Sequence, residues 1–247
     1  STNMQSPFLY CKTEWLWLLS DDDETLDNSV ENICNQIENA KANTGLIKFS
    51  LYNKNNSQVE KSVDNLEDFI DYYYNEEKIR HGEFFFISMN VFNKNNLSKY
   101  LGLNFEFSYT YIGFLVPVFK ALDQKEISVN FVSEQIVKYI PPRDKPYQLD
   151  TVGKGISTLS HLNLSINKYY WKKFHDILMP VSYIEMFKSL LNNKNLNNNK
   201  IFNLIYDNSY KYYLNIYQKI ICYLFKLALD ISFTYYLFKK VKEFLKN

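Results

Sequence analysis

At 247 residues, 46% of them apolar and 17% aromatic, the chain can bury a substantial core and is too apolar to be globally disordered. Its net charge of +1 points to neither nucleic acid nor a membrane surface. Only Arg80 and Arg143 among the 28 basic residues are arginines, so the planar fork that reads guanine and phosphate is scarce, and direct nucleic-acid recognition is not expected.

Cys11, Cys34 and Cys222 lie far apart, with no CxxC and no histidine at ligand spacing. That pattern predicts buried thiols in a reducing compartment rather than a disulfide framework. The opening STNMQSPF lacks the basic and apolar regions of a secretory signal, so a cytoplasmic location is expected.

In chain order, Phe8 to Leu19 is aromatic and apolar and predicts a first strand. Ser20 followed by Asp21, Asp22, Asp23 and Glu24 predicts a capped, acid-rich helix start. Leu26, Val30, Ile33, Ile37 and Ala40 continue it at helical spacing, with Gly45 placed to end it. Leu46 to Tyr52 predicts a strand and NKNNSQ a loop. Ser62 to Asn75 predicts an amphipathic helix with Val63, Leu66, Phe69, Ile70 and Tyr73 inside. The runs GEFFFISMNVF and YLGLNFEFSYTYIGFLVPVF predict two or three antiparallel strands, with Asn104, Glu106 and Ser108 on a wet face.

A helix is expected over Val129 to Ile140, stopped by Pro141-Pro142, and PPRDKPYQ predicts a hinge. Helices then follow over Tyr169 to Met179, Val181 to Leu191 and Tyr210 to Leu245, with the Asn-rich run Asn192 to Asn199 as a mobile loop. The expectation is an α+β fold, an antiparallel sheet with packed helices and a mostly helical C-terminal part. It forms a single domain over 1–247, in which 1–140 carry the sheet and 147–247 pack helices onto it.

No catalytic constellation stands out. His81, His161 and His175 are isolated, Ser157, Ser160 and His161 lack a GxSxG frame, and V-G-K-G falls short of a phosphate loop. No catalytic residue, metal ligand or cofactor is therefore expected. Ile220 to Phe238 is long enough to span a bilayer. Lys226 and Asp230 near its centre would each cost about 2.5–3.5 kcal/mol there, so a buried helix is the stronger reading.

Charge layout says more. Residues 1–100 hold 16 acids against 9 bases, and residues 101–247 hold 11 against 19. The acids follow the polar faces of the first two helices expected, which reads either as an ordinary solvated face or as an acidic surface for a basic partner. The candidate contact residues are Asp21, Asp22, Asp23, Glu24, Asp64, Glu67, Asp68 and Asp71, with Tyr72 and Tyr74 as aromatic anchors. The alternative for Tyr72, Tyr73 and Tyr74 is that at least two belong to the core.

The order of segments FLYCKTEWLWLL, NLEDFIDYYY, GEFFFISMNVF, LGLNFEFSY, IGFLVP, VKYIPP, Val152-Gly153 and IYDNSYKYYLNIYQKIICYLF resembles the bacterial polymorphic-toxin immunity proteins, specifically the immunity protein 52 family. The resemblance implies binding and neutralisation of a cognate protein toxin with a basic surface, typically a nuclease effector, in interbacterial competition. Two alternatives stay open: an enzyme with a pocket between sheet and helices, and a membrane-associated protein using 220–238.

Overall fold

The computed structural model describes residues 6–51, 59–76, 84–110, 112–138, 153, 155–179, 183–192, 198–211 and 214–244. The chain divides into two compact units, one of residues 1–146 with 162–178, the other of 147–161 with 179–247.

The first unit is built on a five-stranded sheet of strands β1 (Trp15–Trp17), β3 (Thr44–Ser50), β4 (Lys61–Val63), β5 (Asn90–Asn93) and β6 (Ser128–Gln135), in the order β1-β5-β3-β6-β4. A small ladder joins β2 (Glu24–Thr25) to β7 (Val137–Lys138). All pairs are antiparallel except β3 with β6, so the sheet is mixed rather than wholly antiparallel; the α+β class stands.

Every residue of β3 is buried, because both faces of the sheet are covered. On one face Ile47, Phe49, Val91, Met89 and Val132 meet Ile33 and Ile37 of the helix α2 (Ser29–Glu38). The other face is aromatic, and it carries helices α1 (Ser6–Tyr10), α3 (Leu66–Asp71), α6 (Val116–Asp123) and α7 (Lys168–Leu178). Phe131 lies 5.7 Å from Phe69, which sits 5.9 Å from Phe119, which in turn meets Phe174 edge-on at 5.0 Å. Phe92 meets Phe8 at 5.2 Å. Strand alternation puts Lys48 on this face too. Its ammonium is buried and donates to Asn90 Oδ1 at 3.0 Å, across the two central strands.

Several expected elements are different. Of Phe8 to Leu19 only β1 is a strand; Ser6–Tyr10 turns as helix, with Pro7 in the first turn where its missing N–H costs nothing. The acid-rich segment is a turn leading to β2, and α2 begins only at Ser29. Gly45 does not end that helix. It lies in β3 where the register with β6 shifts, and a Cβ there would come within 2.7 Å of Ile127.

Ser62 and Val63 belong to β4, and the second helix starts after Asn65, whose side chain accepts from the Asp68 amide at 2.8 Å. That helix continues as a π-helical turn, Tyr72–Glu76. The run from Leu101 folds as helices α5 (Leu101–Glu106) and α6, not strands, with α4 (Lys94–Leu97) before them. Asn104, expected on a wet face, is fully buried. The helix expected from Val129 is instead β6 and β7.

The second unit contains helices α8 (Tyr183–Asn192), α9 (Asn198–Ile205) and α10 (Ile216–Phe244). Phe187 joins them, with ring centroids 4.4 Å from Phe202 and 5.9 Å from Phe225. Among the described residues no helix is long and apolar enough to cross a membrane. The hinge PPRDKPYQ, the loop NKNNSQ, His81 and most of the Asn-rich run lie outside the described residues.

Candidate interaction surface

The acids singled out from the sequence do not form one surface. β1, which leads into Asp21–Glu24, is one edge of the sheet, and β4, which leads into Asp64–Asp71, is the other. The pairings make β1 run with β3 and β6, and β4 run against them. The two acidic segments therefore leave opposite edges at opposite ends. Four strand spacings of about 4.8 Å separate the edges by about 19 Å, more than twice the screening length of about 8 Å at physiological salt.

The first segment is anchored to the fold through Asp23. Ser88 Oγ donates to Asp23 Oδ2 at 2.6 Å and accepts the Ser20 amide at 2.9 Å, while Trp17 Nε1 donates to the Ser88 carbonyl at 2.7 Å. This staples the acidic turn to the entry of β5. Burial pushes the Asp23 carboxyl up; the Ser88 bond opposes that, and Asp22 and Asp21 add to it. Glu24 pairs with Lys138 at 2.9 Å across the β2–β7 ladder. Asp21, Asp22 and Glu24 are exposed.

The second segment meets residues that the sequence pattern did not single out. Asp71, at the end of α3, accepts from Lys173 Nζ at 2.6 Å and from the Tyr170 hydroxyl at 3.2 Å, both on α7. The same ammonium lies over three rings, 4.6 Å from Tyr169, 5.1 Å from Tyr74 and 5.6 Å from Tyr170. The Asp71 bond, foremost, holds Lys173 above its ordinary value, so its charge is permanent and locally neutralised. Burial and then Asp71 push the Tyr170 phenol up, with a smaller contribution from Glu67, which lies one helical turn before Asp71 on α3.

Asp64, Glu67 and Asp68, on α3 or just before it, stay exposed. Asp64 and Asp68 accept from the Asn65 amide at 3.1 and 2.7 Å, so their carboxylates are oriented as well as solvated. Tyr169 is 61% exposed, whereas Tyr74 is half-buried. The outcome is a set of tyrosine rings held about Lys173 by Asp71, with exposed acids on the same helix as Asp71 and exposed Lys168 and Lys172 on the same helix as Tyr169.

Tyr72 must be withdrawn as a surface anchor. It is fully buried, stacks on Phe131 at 3.7 Å and donates to the Val59 carbonyl at 2.8 Å. Tyr73 is buried as well, so two of the three consecutive tyrosines are core. Tyr169, Tyr170 and Lys173 share one helical face at i, i+1 and i+4, a signal in the sequence, but nothing there says that this face meets a helix a hundred residues earlier. Among the described residues no group of three His, Cys, Asp or Glu side chains is placed to hold a metal ion. Compared with known proteins, the chain matches no family model and no curated protein.

Proposed function

We propose that this protein works by stoichiometric binding, as an immunity protein that neutralises a cognate bacterial toxin in the cytoplasm, and that Asp64, Glu67 and Asp68 with Tyr74 and Tyr169 form its contact surface. The observation that carries the reading is the Lys173 cluster. By pairing Lys173 with Asp71 and packing it among three rings, the fold orders aromatic side chains next to the helix that carries the exposed acids. Ordered tyrosines lose little entropy on binding and are favoured as hot spots. Exposed acids speed encounter with a basic partner such as a nuclease groove built for phosphates.

The test is titration against the toxin encoded next to this protein. Glu67→Gln with Asp68→Asn should weaken binding roughly tenfold at low salt, with the difference shrinking as salt rises. Tyr169→Ala should weaken it by a similar or larger factor at all salt concentrations, while Asp21→Asn with Asp22→Asn should leave it unchanged. Wild-type affinity in the first two variants would end this reading.

A further inference from the structure

Residues 101–110 carry two incompatible periods. Leu103, Phe105, Phe107 and Tyr109 alternate with Asn104, Glu106 and Ser108, the pattern of a half-buried strand. The fold follows the other period. Leu97, Tyr100, Asn104 and Phe107 turn inward at helical spacing, and Leu101–Glu106 winds into α5.

The helical form is locally unfavourable in three ways. Asn104 is fully buried, yet neither its Oδ1 nor its Nδ2 has a hydrogen-bond partner among the described residues. A buried amide in that condition loses its hydration and gains nothing in exchange. Phe105 and Tyr109, which a strand would place beside Leu103 and Phe107, are 37% and 54% exposed. Tyr100, at the N-cap position of α5, gives it no side-chain hydrogen bond, and the second helical residue is Gly102. A Cβ at Gly102 would meet nothing within 4 Å, so no close approach calls for glycine there, and it lowers helix propensity without improving the packing.

The flanks do not share this conflict. Before the segment, β5 is paired with β1 on one side and β3 on the other. After it, α6 has Pro117 in its first turn and buries Val116, Val118, Phe119 and Leu122. A turn closes the segment, in which the Phe107 carbonyl accepts both the Thr110 amide at 3.0 Å and the Thr110 hydroxyl at 2.8 Å. Where local preference and tertiary placement disagree over one short stretch, two states of that stretch compete. We propose that residues 101–110 are a conformational switch of the first unit, helical at rest and extended in a minor state, while the sheet and α6 stay folded. In the extended state Asn104 regains water, and Leu103, Phe105, Phe107 and Tyr109 gather on one face. The switch uses none of the toxin-contact residues proposed above.

Native-state hydrogen exchange on the full chain tests it. The Phe107 and Ser108 amides, bonded to the Leu103 and Phe105 carbonyls, should exchange roughly a hundredfold faster than those of β3, at a rate that low denaturant leaves unchanged. Asn104→Leu, similar in volume but with no amide to bury, should slow that exchange about tenfold. Gly102→Ala should slow it about fivefold, and Thr110→Val should speed it. In Thr110→Val, carbon chemical-exchange saturation transfer should reveal a minor state whose Leu103 to Ser108 Cα shifts lie on the strand side of random coil. Exchange as slow as that of β3, exchange that Asn104→Leu leaves unchanged or accelerates, or a Thr110→Val protein with no minor state or with a helical or random-coil one would each overturn the inference.

Discussion

Tyr72 and Tyr74 show how far two residues of identical chemistry can diverge. Two positions apart on a helical turn, one is enclosed against Phe131 and the other lies by Lys173. Burial also decides the behaviour of His175, on the inward side of α7. Desolvation pushes its imidazole down from 6.5 to about 3. Between those values the unfolded chain takes up a proton that the folded chain refuses, so stability is full above about pH 6.5 and declines as pH falls towards 3. The slope is at most about 1.4 kcal/mol per pH unit. Denaturant unfolding at pH 7.5 and 5.5 should show the wild type losing about 1.4 kcal/mol more than His175→Gln. Equal losses in the two proteins would remove His175 as the cause.

Among the elements, those with one strong period were legible and those with competing periods were not. Helices α7 and α8 lie close to where their apolar spacing predicted, and β3 holds all but the end of its expected range. The run from Leu101 misled because its aromatics alternate as in a strand, while Leu97, Tyr100, Asn104 and Phe107 are buried at spacings of three and four. Val129 to Lys138 reads as a helix from its spacing, yet β3 offers a paired edge and the β-branched and aromatic residues take it. The acidic turn failed as a helix start for a tertiary reason: Ser88 and Lys138 bind its carboxylates in another conformation. Helix α3 shows a local signal that held, since Asn65 caps it. Asn65→Ala should lower stability by about 1 kcal/mol and Asn65→Ser by much less, read as a melting temperature lower by a few degrees for the alanine variant alone.

For the molecule as a whole, the surplus of acids in the first hundred residues was visible, but their separation was not. That depends on strand order, which puts β3, the strand after α2, at the centre and the next strand, β4, at the far edge. The patch that remains is smaller than the charge count suggested. It draws Tyr169, Tyr170 and Lys173 from α7, which joins the first unit after an excursion of the chain into the second.

The parallel β3–β6 pair has a consequence for how the protein is made. β1, β5 and β3 can pair once residue 93 is available, but residues 51–127 must all be synthesised before β6 can cover the other edge of β3. At about 5–20 residues per second, that leaves a buried-type strand with unpaired amides and carbonyls for several seconds on every ribosome. A chain ending at residue 127 makes this condition permanent. It should collect in the insoluble fraction when expressed, whereas the full chain stays in solution, and the protein's dependence on chaperones should fall within that interval of its synthesis.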